Sequence, residues 1–174
     1  MSKNVAMFVD VANLYYGARD QGVDLDYTAM LARATTDRDL IRAYAYTGLD
    51  PDNENQLKFI DFLRAHGYSV VTKNVRSAEG RMKANLDIEL VVDLMKLAPR
   101  MDIAVIASGD GDFAVAIKAL QEKGVRCEVM GFKANTSSDL FAVADSFIDI
   151  TKIAGIVRRD SGSRARRDST AQAS

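Results

Sequence analysis

Two carboxylates and two glycines follow an apolar run in the segment Ser108-Gly109-Asp110-Gly111-Asp112. Carboxylates are hard oxygen ligands of the kind that bind Mg²⁺ or Mn²⁺. A turn with a helix cap uses the same residue types, and Asp112 is placed as the cap or a first-turn acid of a helix that begins at Phe113. A calcium-binding loop is excluded, because its repeat of acidic positions fails after the first two. The segment alone leaves a metal site and a capped turn as open alternatives.

The surrounding sequence alternates between short apolar strands and helical patterns. The predicted strands are NVAMFV, DLIRAYAYTG, YSVVTKNV, DIAVIAS and VRCEVMGF, with a last apolar piece FIDI. The predicted helices include TAMLARAT and residues 52–65, 85–97, 113–123 and 138–144. Strands separated by helices of this length indicate βαβ units. The sequence therefore predicts an α/β fold with a central, mostly parallel sheet of about five strands and helices on both faces.

Four acids fall on one edge of that sheet. Asp10 ends the first strand, and Asp110 and Asp112 follow the fourth. Asp87 lies at the start of helix 85–97, and the start of a helix faces the same edge as the end of the strand before it. Open α/β folds bind ligands at this carboxyl edge, at the point where the winding of the sheet reverses. With strand one central and strand four beside it, Asp10 and Asp110 are expected to lie side by side.

Helical spacing separates Asp87 from the other acids of its helix. The helix carries an apolar stripe of Leu86, Leu90, Leu94 and Leu97. Asp87 lies on the inner side near the helix start, whereas Glu89 and Asp93 are about 200° and 240° around the axis from it. Asp139 and Asp145 are interpreted as acids at a helix end and on the surface. Asp87 is therefore the acid of this helix predicted to join the site.

A cluster of acids needs protons, basic partners or a metal ion. Two unit charges about 4 Å apart repel by roughly 4 kcal/mol at an effective dielectric constant near 20. The single histidine, His66, precedes Gly67 at a helix end and is interpreted as a cap. Cys127 lies in an apolar alternation typical of a strand. Because it is the single cysteine of the chain, an intramolecular disulfide is excluded. Metal-assisted hydrolysis with Mg²⁺ or Mn²⁺ is the chemistry that remains.

The length of 174 residues favours one domain, predicted over 1–153, followed by a basic tail over 158–174. Five arginines and two aspartates give this tail a net charge of +3, in a chain whose overall charge is −1. The tail is poor in apolar residues and is predicted to be disordered. It is either a solvated terminus or an arm that contacts nucleic acid or an acidic partner. With no long apolar stretch and no signal peptide, the sequence predicts a cytoplasmic protein without membrane contact.

Four motifs occur in order along the chain: FVDVANLYYG, KANLDIELVVDLM, IASGDGDFAVAIKALQEKGVRCEVMGF and NTSSDLFAVADSFIDI. Together they resemble the motifs of NYN domains, which belong to the PIN-like nuclease superfamily and include the LabA/DUF88 group. The resemblance runs from about Val5 to Asp149. It implies a three-layer PIN-like α/β sandwich that binds Mg²⁺ or Mn²⁺ and cleaves RNA. Its catalytic and metal-binding acids correspond to Asp10, Asp87, Asp110 and Asp112.

Several further residues are candidates for contact with substrate. Asn13 either caps the first helix or orients a metal ligand, and Ser108 either contacts a phosphate or satisfies the turn. Lys83 is a candidate partner for a substrate phosphate, with an exposed loop lysine as the alternative. Tyr15 and Tyr16 are placed to stack bases near the edge, although at least one is expected to pack into the core.

The sequence therefore predicts a metal-dependent ribonuclease with RNA as its partner. The alternative from another class is a catalytically weak regulatory or RNA-binding module that keeps the fold and a structural Mg²⁺. Other Mg²⁺-dependent phosphotransfer folds fit less well. A Toprim-like site would have Glu where this chain has Asp10, and a haloacid-type phosphatase would have D-x-D at Asp10-Val11-Ala12. The RNA substrate, the polarity of cleavage and the oligomeric state are left open.

Overall fold

A computed structural model describes residues 2–75, 85–153 and 155–159. Its strands are β1 (Lys3–Asp10), β2 (Val23–Leu25), β3 (Arg38–Leu49), β4 (Ser69–Asn74), β5 (Ile103–Ala107), β6 (Arg126–Gly131), β7 (Ser146–Asp149) and β8 (Val157–Arg159). Its α-helices are α1 (Val11–Gln21), α2 (Tyr27–Ala34), α3 (Glu54–Ala65), α4 (Asp87–Leu97), α5 (Ala114–Glu122) and α6 (Ser138–Val143). Short 3₁₀ turns cover Gly111–Phe113, Lys133–Asn135 and Ile150–Lys152.

The main sheet has six strands in the order β4-β3-β1-β5-β6-β7, and every neighbouring pair is parallel. The predicted α/β class and parallel sheet are confirmed, with β7 as a sixth strand. A separate antiparallel pair joins β2 to β8. The sequence analysis did not predict these two short strands, because three residues are too few to form a recognisable pattern.

Apolar residues on both faces of the sheet produce three layers. In β1, Val5, Met7 and Val9 pack into one cluster with residues of α1 and α2. Ala6 and Phe8 pack into the other, with residues of α4, α5 and α6. A strand covered on both faces reads as a continuous apolar run rather than an alternation, which is how β1 and β5 appear in the sequence.

The winding of the sheet reverses between β1 and β5. The chain passes from β1 outward to β3 and β4, then returns to the other side of β1 to form β5 and continues outward to β6 and β7. Val9 pairs with Ala107, so Asp10 and Ser108, the next residue of each strand, meet at the carboxyl edge. This is the switch point at which open α/β sheets bind ligands.

The C-terminal boundary of the folded part differs from the prediction. Arg158 and Arg159, assigned to the disordered tail from the sequence, belong to β8. Both residues pair with β2, and the Arg158 guanidinium donates to Asp26 Oδ2 over 2.6 Å. The remainder of the tail, 160–174, lies outside the described residues. None of the helices within the described ranges has both the length and the apolar character that crossing a membrane requires.

Two single residues behave as the sequence predicts. Cys127 is buried in β6, where burial raises the pKa of its thiol to about 12. His66 is the C-cap residue of α3, and its Nδ1 lies 2.7 Å from the carbonyl oxygen of Phe62. Cys127 is therefore a core residue of β6, and His66 is the capping residue of α3.

Candidate metal centre

Asp10 ends β1 and also caps α1. Its Oδ1 accepts a hydrogen bond from the backbone N–H of Asn13 over 3.2 Å, while Oδ2 accepts one from Ser108 Oγ over 2.9 Å. The helix begins at Val11 with Asp10 as its N-cap, which rules out the first of the two interpretations of Asn13, a helix cap. A carboxylate at the N-terminus of a helix satisfies free N–H groups and is favoured by the helix dipole. The cap therefore holds the Asp10 carboxylate at the edge of the sheet.

Asp110 repeats this arrangement after β5. Its Oδ1 accepts from the backbone N–H of Asp112 over 2.9 Å and caps the 3₁₀ turn Gly111–Phe113 that leads into α5. Of the two roles that the sequence offered for Asp112, Asp110 takes the cap and Asp112 is the first-turn acid. Asp112 has an exposed side chain in the first turn, next to the cluster of acids.

The glycines of the loop are required by close packing. A Cβ atom at Gly109 would lie 2.2 Å from the carbonyl oxygen of Asn135, and one at Gly111 would lie 2.6 Å from Ser137 Oγ. The backbone N–H of Ser137 donates to the Gly109 carbonyl over 3.0 Å. The segment after β6 therefore packs directly on the acidic loop, and any side chain at these positions would push it away.

Asp87 completes a three-carboxylate cluster. It is the first residue of α4, and its backbone N–H donates to Asn85 Oδ1 over 2.9 Å. Asp10, Asp87 and Asp110 each offer one carboxylate oxygen, and these atoms lie within 4.8 Å of one another. The sequence placed all three at this edge. Asp112 lies outside that spacing, although its charge still acts on Asp87.

The other acids of α4 have different partners. Glu89 forms an ion pair with Lys73 over 2.9 Å, and Asp93 Oδ2 accepts a hydrogen bond from the Tyr46 hydroxyl over 2.8 Å. The helical spacing correctly separated these two residues from Asp87.

The cluster is electrostatically unfavourable without a cation. Desolvation, followed by repulsion from Asp110, Asp10 and Asp112, raises the pKa of Asp87 to about 6, and a hydrogen bond with Asp110 acts in the same direction. Burial also raises the pKa of Asp10, against the hydrogen bonds from Asn13 and Ser108. In ranges 2–75, 85–153 and 155–159, no lysine or arginine forms an ion pair with the three carboxylates. This set of oxygen donors fits a hard divalent cation.

Ser108 and Asn13 form hydrogen bonds with Asp10 and with the backbone of the acidic loop. Ser108 is fully buried, and its Oγ both donates to Asp10 and accepts from the backbone N–H of Asp110 over 3.1 Å. Asn13 Oδ1 accepts from the backbone N–H of Gly109 over 2.8 Å. Ser108 therefore satisfies the turn and Asn13 holds the loop, while contact of either side chain with substrate stays a prediction. Lys83, the third predicted substrate-binding residue, lies outside the described residues.

Both tyrosines of α1 are exposed. Tyr15 and Tyr16 have relative accessibilities of 59% and 60%, and their rings meet edge to face with centroids 5.7 Å apart. The expectation that at least one packs into the core is wrong, because Val11, Leu14 and Ala18 form the buried side of the helix.

Asp139 lies closer to the acidic loop than the sequence indicated. Its Oδ2 is 3.4 Å from the position that a Cβ at Gly111 would take. The sequence analysis treated it as a surface acid at a helix end. Its place just after the carboxyl end of β6 is the signal that could have located it, since the loops after parallel strands share one edge.

The chain is similar to known proteins in both sequence and fold. The NYN domain family model matches residues 4–151. The chain is 31% identical over 164 residues to the low amplitude and bright protein LabA of Synechococcus elongatus, covering 89% of this chain and 88% of LabA. A crystal structure of a protein of unknown function from Vibrio parahaemolyticus superposes with a TM-score of 0.82 at 28% identity, covering 90% of this chain and 97% of the other. The chain therefore belongs to the NYN domain family, in its LabA-like group.

Proposed function

We propose that the protein is a ribonuclease that hydrolyses RNA phosphodiester bonds with the help of Mg²⁺ or Mn²⁺. The observation that carries this proposal is the convergence of Asp10, Asp87 and Asp110 within 4.8 Å at the switch point of the sheet. Membership of the NYN domain family, which is part of the PIN-like nuclease superfamily, supports the same reaction class.

The residues divide into ligands and supports. Asp10, Asp87 and Asp110 would hold the ion. The exposed carboxylate of Asp112 would complete the coordination shell of the ion or orient the attacking water. A bound Mg²⁺ or Mn²⁺ supplies charge neutralisation at the phosphate and lowers the pKa of bound water. Ser108 keeps Asp10 and the Asp110 backbone at a fixed separation, and Asn13 fixes the loop at Gly109.

Incubation of the purified protein with end-labelled RNA tests the proposal. The substrates are a mixed-sequence single strand and a hairpin, each with Mn²⁺, with Mg²⁺ and with EDTA. We expect cleavage that requires the metal and is lost in Asp10→Asn. Asp61→Asn is the matched control, since Asp61 is an exposed acid of α3.

Two outcomes would contradict this proposal. Cleavage that persists in Asp10→Asn would point to a contaminating nuclease. Metal binding without cleavage of either RNA would favour the regulatory or RNA-binding module that retains the fold and a structural Mg²⁺.

A further inference from the structure

A groove lies beside the edge strand β7. It encloses about 480 Å³, and its walls come from α2, the 3₁₀ turn after β6, α6, β7 and the turn that follows β7. The side chains that give it its chemical character are Arg33, Lys133, Phe141, Phe147, Asp149 and Lys152. None of these residues belongs to the metal centre.

The groove concentrates positive charge on a chain whose overall charge is −1. Arg33, Lys133 and Lys152 are exposed, and none of them forms an ion pair with another described residue. The single acid, Asp149, accepts hydrogen bonds from the backbone and hydroxyl of Thr151. Three cations that form no ion pair with the described residues therefore face solvent in one concave surface, which suits a ligand with several negative charges.

Two aromatic rings lie among these cations. Phe141 and Phe147 meet edge to face with centroids 4.6 Å apart, and Phe141 is 41% exposed. Cations that contact a phosphate backbone, together with aromatic rings on which bases stack, are the usual means of binding single-stranded nucleic acid. A folded duplex keeps its bases stacked inside and cannot use the rings in this way.

One chain segment links the wall of the groove to the metal centre. The segment that carries Lys133 and Phe141 also contains Asn135 and Ser137, which pack against Gly109 and Gly111 of the acidic loop. The carboxylates of the centre repel a polyanion, so a substrate needs attraction from nearby cations until a metal neutralises them. This groove is placed to supply that attraction.

We infer that this groove binds single-stranded nucleic acid and guides it toward the acidic centre, with its cations on phosphates and Phe141 stacked on a base. The inference rests on the proposed ribonuclease function for the class of ligand. The binding site itself is testable without cleavage.

Binding of a fluorescein-labelled single-stranded RNA, followed by anisotropy in EDTA at several salt concentrations, tests the cations. The test variant combines Arg33→Gln, Lys133→Gln and Lys152→Gln. The control combines Lys96→Gln, Lys118→Gln and Lys123→Gln, which removes one exposed lysine from α4, one from α5 and one at the C-cap of α5. Each phosphate contact on a single strand contributes about 0.7 to the salt slope, so the test variant should lower the slope by about 2. The control should keep the wild-type slope.

Phe141→Leu tests the stacking contact separately. It keeps an apolar side chain but removes the ring, and loss of one base–aromatic stack weakens binding by roughly five- to 150-fold. The salt slope should stay unchanged, because no phosphate contact is lost. Melting temperatures of all variants verify that the fold is retained.

The possible outcomes test nucleic-acid binding by the groove separately from the proposed ribonuclease activity. Equal binding by test and control variants would overturn the inference that the groove binds nucleic acid, even if the wild type cleaves RNA. Equal or tighter binding of a duplex RNA or of an acidic phosphopeptide would also overturn it. Groove-dependent binding of single-stranded RNA, without cleavage in Mn²⁺, would support the groove and contradict the proposed ribonuclease activity.

Discussion

The hydroxyl of Ser108 donates a hydrogen bond to Asp10 across the ends of β5 and β1, with 2.9 Å between Oγ and Oδ2. The same oxygen accepts from the backbone N–H of Asp110. One buried hydroxyl therefore fixes the relative position of two proposed metal ligands that are 100 residues apart in the sequence.

Ser108→Ala is expected to weaken metal binding as well as the fold. It leaves a buried carboxylate oxygen and a backbone N–H without their partner, and an unsatisfied buried polar group costs about 1–3 kcal/mol. Calorimetric titration with Mn²⁺ should give a larger dissociation constant, and the melting temperature should fall. Ser69→Ala, at an exposed position in β4, is the control. Unchanged Mn²⁺ affinity in Ser108→Ala would remove the positioning role.

Asp110→Asn is expected to lose metal affinity while keeping its stability in EDTA. Asparagine caps helices about as well as aspartate, and the substitution removes one charge from a repelling cluster. Wild-type protein should gain melting temperature with Mn²⁺ because the ion binds the folded state, and the variant should gain little. Thermal unfolding with Mn²⁺ and with EDTA measures both effects. A variant with the wild-type Mn²⁺ shift would make Asp110 a turn residue only.

Asp112→Asn is expected to act mainly on the reaction. Asp112 lies outside the group of oxygens within 4.8 Å and its side chain is exposed, so its removal should leave most of the Mn²⁺ melting shift in place. The rate of RNA cleavage should fall severely if Asp112 orients water. Parallel measurements of the melting shift and the cleavage rate separate this role from that of Asp110, and loss of the whole Mn²⁺ shift would instead make Asp112 a ligand.

The stability of the metal-free protein is expected to decrease as the pH rises toward 6 and just above it. The pKa of Asp87 is about 6 in the folded protein against an ordinary value of 3.8, so the folded state holds its proton more tightly than the unfolded state. The contribution of the Asp87 proton to the free energy of unfolding is complete below pH 3.8 and is lost as the pH passes 6. Urea unfolding in EDTA across this range should reveal it, and Asp87→Asn should remove it. The affinity for Mn²⁺ should change in the opposite direction, because the proton competes with the ion.

Gly109→Ala is expected to disturb the loop more than Gly124→Ala. The first Cβ meets a backbone oxygen at 2.2 Å, whereas the second enters open space and suffers only from its positive φ of 85°. A left-handed residue other than glycine costs about 1–2 kcal/mol. We expect Gly109→Ala to lower both the melting temperature and the Mn²⁺ affinity, and Gly124→Ala to lower the melting temperature alone. Equal Mn²⁺ affinities would contradict the packing argument.

The position of the acids was predictable because it follows from chain direction. Once β1 and β5 are recognised as parallel neighbours, Asp10 and Asp110 must lie at the same edge, and the start of α4 brings Asp87 there. This inference needs only the order of the elements.

The contacts that the neighbouring residues make with the acidic loop could not be predicted in the same way. Asn13 and Ser108 make hydrogen bonds between the β1–α1 junction and the loop after β5, which are distant in the sequence. The need for Gly109 arises from the backbone of Asn135, which no local pattern reveals. Residues of these types occur equally in turns and binding sites, so their spacing does not distinguish support from contact with substrate.

The pairing of β8 with β2 has a consequence for the order in which the protein forms on the ribosome. Val23 pairs with Arg159, and the buried Ile156 joins the core cluster that also holds α1 and α2. At about 5–20 residues per second, translation takes roughly 7–27 s to pass from β2 to β8. During this interval the apolar surface that Ile156 covers stays open to water. A ribosome stalled just before Ile156 therefore displays a nascent chain whose core is exposed on the α1 side, although Asp10, Asp87, Asp110 and Asp112 have already been synthesised.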